Sequence, residues 1–435
     1  MTLKRTNLNP SRRQFIAGGV GAGLAVPLVR GLAPRGLAPR WMQAASGASQ
    51  KVVYIILAGG NDAINNMVNP DEPKYAAARP NIKLPKSKMV RLDNSLPYYL
   101  HPALQPFKAL YDLGELVVLP GIGYPKPNFS HFRAMDIWAA ADPATSALRS
   151  GWLANFLNKV YAGADPVKAI DIEGRLNRVL VGFPAPVFRN PAQFSLRTDP
   201  PRFINDDALE LSTIDANAKV LRPTAHPNLA FLASSLGRIR ADSALLTSTG
   251  SNYTPKATYS TTTARARLVA SQLQLAARYI VGGLTTPLYV ASVGGWDLHA
   301  NGVLASDSTL GTHHDQLAAV ADNVKAFLDD LKAWGKANDV TVVVTSEFGR
   351  RVGENGNLGT DHGHAGIAYV AGKTIKSGGV KSPYMDWSKA KAPYNRSNFL
   401  HTVDFRRLYA TLLDDLWKVD STKVLGKKFA SLGIF

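Results

Sequence analysis

The 435-residue chain contains no cysteine. Disulfides, thiolate-bound zinc, a cysteine nucleophile and a lipidated N-terminal cysteine are all excluded. Any bound metal must be held by nitrogen and oxygen. Acidic residues are scarce, 32 against 50 Lys and Arg, and the net charge is +18. Seven of those charges (Lys4, Arg5, Arg12, Arg13, Arg30, Arg35 and Arg40) fall in the first 45 residues, which carry no acid, so the rest of the chain holds +11. Such an excess favours small anionic esters or anionic envelope polymers. No helix-turn-helix, zinc finger or basic stripe interleaved with aromatics is present, so nucleic acid is not an expected partner. Apolar runs of spanning length are absent too, and no stable membrane span is expected in the mature protein. With 46% hydrophobic and 19% charged residues, the composition is that of a folded globular chain, long enough for one large α/β domain or two smaller ones.

The N-terminus reads as an address. Ser11-Arg12-Arg13-Gln14-Phe15-Ile16 precedes a weakly apolar stretch interrupted by Gly18, Gly19, Gly21 and Gly23, then small residues from Ala44 to Ala48. A basic segment, a short apolar one and small residues in that order describe a cleavable export signal. The paired Arg12 and Arg13 resemble a twin-arginine signal, which implies the twin-arginine export machinery as a partner and a periplasmic or extracellular destination. Residues 1–46 are read as signal and linker, 51–430 as a single domain. Gly31-Leu32-Ala33-Pro34-Arg35 repeats at once as Gly36-Leu37-Ala38-Pro39-Arg40, a duplication in a tolerant linker.

Short apolar runs closed by glycine turns recur at 51–57, 116–119, 288–293, 340–345 and 367–371, the pattern of buried parallel strands. Between them, Leu317, Val320, Ala321, Val324, Phe327, Leu328, Leu331 and Trp334 recur at three- and four-residue spacing, as a helix requires. The segments 102–113 and 264–281 read similarly. Alternating helix and strand predicts an α/β sandwich with a mostly parallel sheet, whose ligands bind beyond the carboxyl ends of the strands. Residues 184–201 read as loop and 243–263 as a surface excursion.

Five of the nine histidines lie between His299 and His364. Imidazoles and carboxylates suit divalent ions such as Zn²⁺ and Mn²⁺. Asp62 follows the first strand and two glycines; a turn residue or helix cap is its plainer reading. Asp297 and His299 can converge on one ion from a tight loop. Glu347 ends the clearest strand as a ligand or base, and Arg350 follows as a clamp for phosphate, sulfate or carboxylate; a salt bridge or helix cap is the alternative. Asp361, His362 and His364 form the densest donor set, with Gly359 and Gly363 supplying tight turns. His313 and His314 open a helix and are left outside the site, while His101, His226 and His401 read as structural. Ser130, beside His131 after a Gly-Ile-Gly turn, is a candidate nucleophile. Its alternative is a helix cap with Phe129 and Phe132 in the core.

The ordered motifs Gly59-Gly60-Asn61-Asp62, Leu100-His101-Pro102, Gly123-Tyr124-Pro125, Ser130-His131-Phe132-Arg133, Gly295-Trp296-Asp297-Leu298-His299, Ser346-Glu347-Phe348-Gly349-Arg350 and Gly359-Thr360-Asp361-His362-Gly363-His364 resemble the DUF1501 family of secreted bacterial proteins. That family is placed with the alkaline-phosphatase-like superfamily, which also holds sulfatases. The resemblance implies a three-layer α/β/α sandwich with one or two divalent ions (Zn, Mn, Ca or Mg) at the strand ends. It implies Asp62 as the first-strand ligand, Asp297 and His299 as ligands of one ion, and His362 or His364 as the late histidine. Glu347-Phe348 stands where phosphatases and sulfatases carry Asp-His, so one imidazole of a second ion's set is missing; Asp361-His362 is its replacement. Ser130 maps loosely onto the nucleophile. The expected activity is metal-dependent hydrolysis of phosphate or sulfate esters. The alternative is a non-catalytic secreted binding or cell-envelope protein that retains the fold.

Overall fold

The structure, a computed structural model, describes residues 49–161, 165–194 and 241–435, with the isolated positions 212, 216, 238 and 239. Arg12, Arg13 and the rest of the expected signal lie outside the described residues. The chain divides into two units, Met1–Gln43 with Ser195–Ala241, and Ala44–Phe194 with Asp242–Phe435. Nearly all of the first unit lies outside the described residues, and every element named here belongs to the second.

Eight strands form the main sheet: β1 (Lys51–Leu57), β2 (Leu116–Gly123), β3 (Ala169–Asp171), β4 (Leu288–Val293), β5 (Val340–Ser346), β6 (Gly366–Ala371), β7 (Gly379–Val380) and β8 (Val403–Asp404). Their order is β7-β2-β6-β5-β1-β4-β3, with β8 also on β2. All pairs are parallel except those of β6, which runs antiparallel to β2 and β5. β2, β4, β5 and β6 are buried along their whole length. That burial is why their sequences are continuously apolar instead of alternating.

Successive strand side chains point to opposite faces. Val53, Ile55 and Leu57 pack on one side with α1 (Gln105–Asp112), α4 (Ala264–Val281) and α5 (Thr312–Ala333). Val52 and Tyr54 pack on the other with α2 (His131–Ala140), α3 (Trp152–Val160) and α6 (Phe405–Thr411). The architecture is therefore a three-layer α/β/α sandwich with a mostly parallel central sheet. In α5, Leu317, Val320, Ala321, Val324, Phe327, Leu328 and Leu331 are all buried, as their spacing predicts. Fully burying each large one contributes about 1.5–3 kcal/mol. The segment read as a surface excursion is partly core: Leu246 and Tyr259 are buried, and Tyr259 donates to Asp330 at 3.0 Å. Among the described residues, no helix is long and apolar enough to cross a membrane.

Because β1 lies between β5 and β4, the loops leaving their carboxyl ends abut. Those loops carry Asp62, Asp297 and Glu347.

Candidate metal centre

Two backbone features bring the loops together. Gly59 has φ +128°, and a Cβ there would lie 2.4 Å from the Asp297 amide nitrogen. Only glycine both adopts that conformation without strain and admits the β4 loop so closely. Arg350, 2% exposed, then ties three loops with one guanidinium. Its Nε donates to the Gly60 carbonyl (2.7 Å), Nη1 to Thr360 O (3.0 Å), and Nη2 to Gly59 O, Trp296 O (2.9 Å) and Asp297 Oδ1 (2.9 Å). A planar fork of five donors is suited to such a junction.

Around Asp297 stand three imidazoles. His299 Nε2 and His362 Nε2 each lie 3.0 Å from Asp297 Oδ1 and 2.9 Å from each other. His131 Nε2 lies 3.3 Å from Asp297 Oδ2. Each ring is held from behind through Nδ1. His131 Nδ1 meets Glu347 Oε1 at 2.8 Å, His299 Nδ1 meets Asp361 Oδ1 at 3.1 Å, and His362 Nδ1 meets the Phe129 carbonyl at 2.7 Å. Carboxylates and carbonyls only accept, so Nδ1 carries the proton in all three. All three Nε2 atoms turn toward one carboxylate, where each ring in its neutral form would offer a lone pair to a cation. Burial works to raise the Asp297 carboxyl, but hydrogen bonds from Arg350 and His362 and the charges of Arg350 and His299 hold it down at about 2. The Glu347 hydrogen bond raises His131. Burial lowers His362 against its bonds to Asp297 and Phe129.

The residues read from the sequence divide into several groups. Asp297, His299 and His362 meet. Asp361 stands behind His299, held also by Asn355 Nδ2 at 3.3 Å. Glu347, 2% exposed, stands behind His131; its Oε1 also accepts from the Gly59 amide at 2.8 Å. Asp62 faces away from the imidazoles into a bidentate pair with buried Arg79, at 2.6 and 2.9 Å. His364 is buried, donating from Nε2 to the Tyr124 carbonyl at 2.8 Å. Burial and the neighbouring His401 push it down to about 4. Arg350 offers no open fork to an anion, because its donors face loop carbonyls and Asp297. Ser130 occupies the N-cap position of α2 but its hydroxyl makes no capping bond, and Phe132, which the helix-cap alternative would put in the core, is 73% exposed.

His131 is the group that sequence reasoning passed over. It stood in the quoted Ser-His-Phe-Arg motif after β2, and the strand-end rule that located Asp297 would have located it too.

The donor set fits a divalent cation. His131 Nε2 is a buried ring nitrogen without a hydrogen-bond partner, backed by a carboxylate as metal-binding histidines are. Ligand atoms of His131, Asp297 and His362 all lie within 4.8 Å of one another. A tetrahedral ion with N and O ligands at about 2.0–2.2 Å spaces neighbouring ligand atoms roughly 3.3 Å apart. The His362–Asp297 and His131–Asp297 separations, 3.0 and 3.3 Å, are close to that. His131, Asp297 and His362 would hold the ion, with His299 adjoining.

A search of curated sequences found no match. Similar solved structures include the lipoteichoic acid synthase LtaP from Listeria monocytogenes (TM-score 0.37, 10% identity, covering 79% of this chain and 70% of that one). A protein of the alkaline phosphatase superfamily from Vibrio parahaemolyticus follows (0.36, 11%, 88% and 71%), and the PsFucS1 sulfatase from Pseudoalteromonas sp. is comparable (0.35, 15%, 88% and 72%). At such TM-scores these likenesses carry no conclusion about this chain. The family model described as "Protein of unknown function (DUF1501)" matches residues 123–429, more than half of the sequence. The chain belongs to the DUF1501 family.

Proposed function

We propose that this protein is an exported, metal-dependent hydrolase of phosphate or sulfate esters, working with one divalent ion on small anionic esters or an anionic envelope polymer. One observation carries the reading: three imidazoles with Nδ1 anchored outward turn Nε2 toward the single carboxylate of Asp297. When bound, a divalent cation supplies a Lewis acid that polarises a phosphoryl or sulfuryl oxygen. The chain's own residues do the rest. Glu347 and Asp361 fix the rotation of His131 and His299. Arg350 positions Asp297 and keeps it ionised. Ser130, exposed one residue before His131, is the candidate nucleophile. The pairing of Asp62 with Arg79 favours one ion over two, since it withdraws the carboxylate a second ion would need. Export through the twin-arginine route, by Arg12 and Arg13, is part of the same proposal.

The test begins with chelator-treated full-length protein titrated calorimetrically with Zn²⁺, Mn²⁺, Ca²⁺ and Mg²⁺. One ion should bind to the wild type and none to Asp297→Ala or His131→Ala. Undiminished binding in both variants, or no binding of any of the four ions, overturns the metal centre. Hydrolysis of nitrophenyl phosphate, phosphodiester or sulfate that disappears in Asp297→Ala supports turnover. Ion binding with no hydrolysis of any ester favours the secreted binding protein instead.

A further inference from the structure

Beside the metal centre, and sharing Glu347 with it, lies a cavity of about 260 Å³. It is bounded by the ends of β1, β4 and β5, by α2, and by the loop that follows β3. The first turn of α2 therefore serves two places: His131 faces Asp297 and the adjacent Phe132 lines the cavity.

The floor is self-sufficient in hydrogen bonds. Thr345 Oγ1 donates to Tyr54 Oη at 3.1 Å, the Tyr54 and Tyr409 hydroxyls meet at 3.2 Å, and Tyr409 donates to the Trp138 carbonyl at 3.1 Å. The walls are apolar, formed by Phe132, Met135, Trp138 and Leu176. Phe132 and Leu176 are 73% and 50% exposed, large apolar groups held at the opening. An apolar cavity of about 150 Å³ takes a benzene ring, so this volume suits one ring with a short chain.

Charge sets the orientation. Glu347 brings a buried carboxylate to the lining, unfavourable to an anion there. Arg175 and Arg178 also line the cavity, with 77% and 38% of their side chains exposed; Arg175 Nε donates to Glu173 Oε1 at 2.6 Å, which leaves its terminal nitrogens for a ligand. Arg178 is steadied at the rim by Asp136 at 2.7 Å and by the Phe132 ring. Guanidinium groups at the mouth attract an anion that the interior repels.

We propose that this cavity binds a small organic anion, a single aromatic ring on a short chain ending in a negatively charged group, with the ring inward and the charge at Arg175 and Arg178. Nothing in this proposal depends on hydrolysis or on a bound ion.

The probe is 3-phenylpropionate, added to chelator-treated full-length protein carrying ¹³C-methyl methionine. Met135 is one of six methionines, and its signal is assigned from Met135→Leu. Saturable movement of the Met135 methyl signal is expected, and acetate, the anion without the ring, should produce none. Removing the charge, either with 3-phenylpropan-1-ol or in the Arg175→Ala/Arg178→Ala protein, should weaken binding about tenfold, the worth of one charge-assisted contact. Leu176→Glu, a substitution at an exposed position, should abolish it, while Asp297→Ala should leave it unchanged. No saturable movement, equal affinity in Leu176→Glu, or equal affinity for the alcohol overturns the proposal. Loss of ion binding alone, with 3-phenylpropionate still bound, would sink only the metal reading.

Discussion

Replacing Arg350 by lysine separates two roles that the same residue could play. If the side chain gripped a substrate anion, Arg350→Lys would keep the charge, raise KM and leave the fold nearly as stable as before. The structure makes it the junction of the β1, β4 and β5 loops, bonded to four carbonyls, of Gly59, Gly60, Trp296 and Thr360, and to Asp297. An ammonium has three donors at one point and cannot span them, so at least two buried acceptors lose their partners. Each costs about 1–3 kcal/mol, and the expected loss is about 2–6 kcal/mol. Urea unfolding of chelator-treated protein measures this directly, with the midpoint falling and the slope unchanged. Ion affinity should fall as well, since Asp297 loses the bond that positions it. A stability loss under about 1 kcal/mol with intact ion binding would refute the junction and restore the anion clamp.

Asp62→Asn leaves the buried Arg79 without its counter-charge, and should cost about 3–5 kcal/mol in urea unfolding while ion binding at Asp297 persists; loss of the ion without loss of stability would make Asp62 a ligand. Burial pushes His313 down to about 4 from an ordinary value near 6.5. Below about pH 6.5 the unfolded chain takes up a proton that the folded one refuses, so the stability due to neutral His313 is complete above about 6.5 and is lost as pH falls toward 4. The loss amounts to about 3 kcal/mol, and His313→Gln should flatten the stability curve over that window by this amount; parallel curves for the two proteins would contradict it. Arg12→Lys/Arg13→Lys should block export of the full-length protein, measured as the fraction recovered outside the cytoplasm, and normal export would exclude the twin-arginine route.

Part of this molecule is legible in its residues because local spacing determines it. The three- and four-residue recurrence from Leu317 to Leu331 is a helix in the structure, and the apolar runs 51–57, 288–293 and 340–345 are strands. Neither the direction of β6 nor the strand order could be read. A strand buried on both faces is apolar throughout and carries no mark of whether its neighbour runs with or against it. β3, three residues long, is too short to show any period. The partnership of Asp62 with Arg79, seventeen residues on, has no periodic signature either.

The sequence alone determined the absence of thiol chemistry, the α/β class, the family and the restriction of any metal to nitrogen and oxygen donors, because each follows from residue identity and short-range order. Tertiary structure decided which of the candidate side chains meet. It turned Asp62 and His364 away into Arg79 and the Tyr124 carbonyl, set Glu347 and Asp361 behind imidazoles, and brought in His131. Hydrogen-bond direction at a ring nitrogen and the approach of Gly59 to Asp297 depend on how loops from separate strands pack, and contacts between residues more than two hundred positions apart, such as His131 and Glu347, leave no imprint on local sequence.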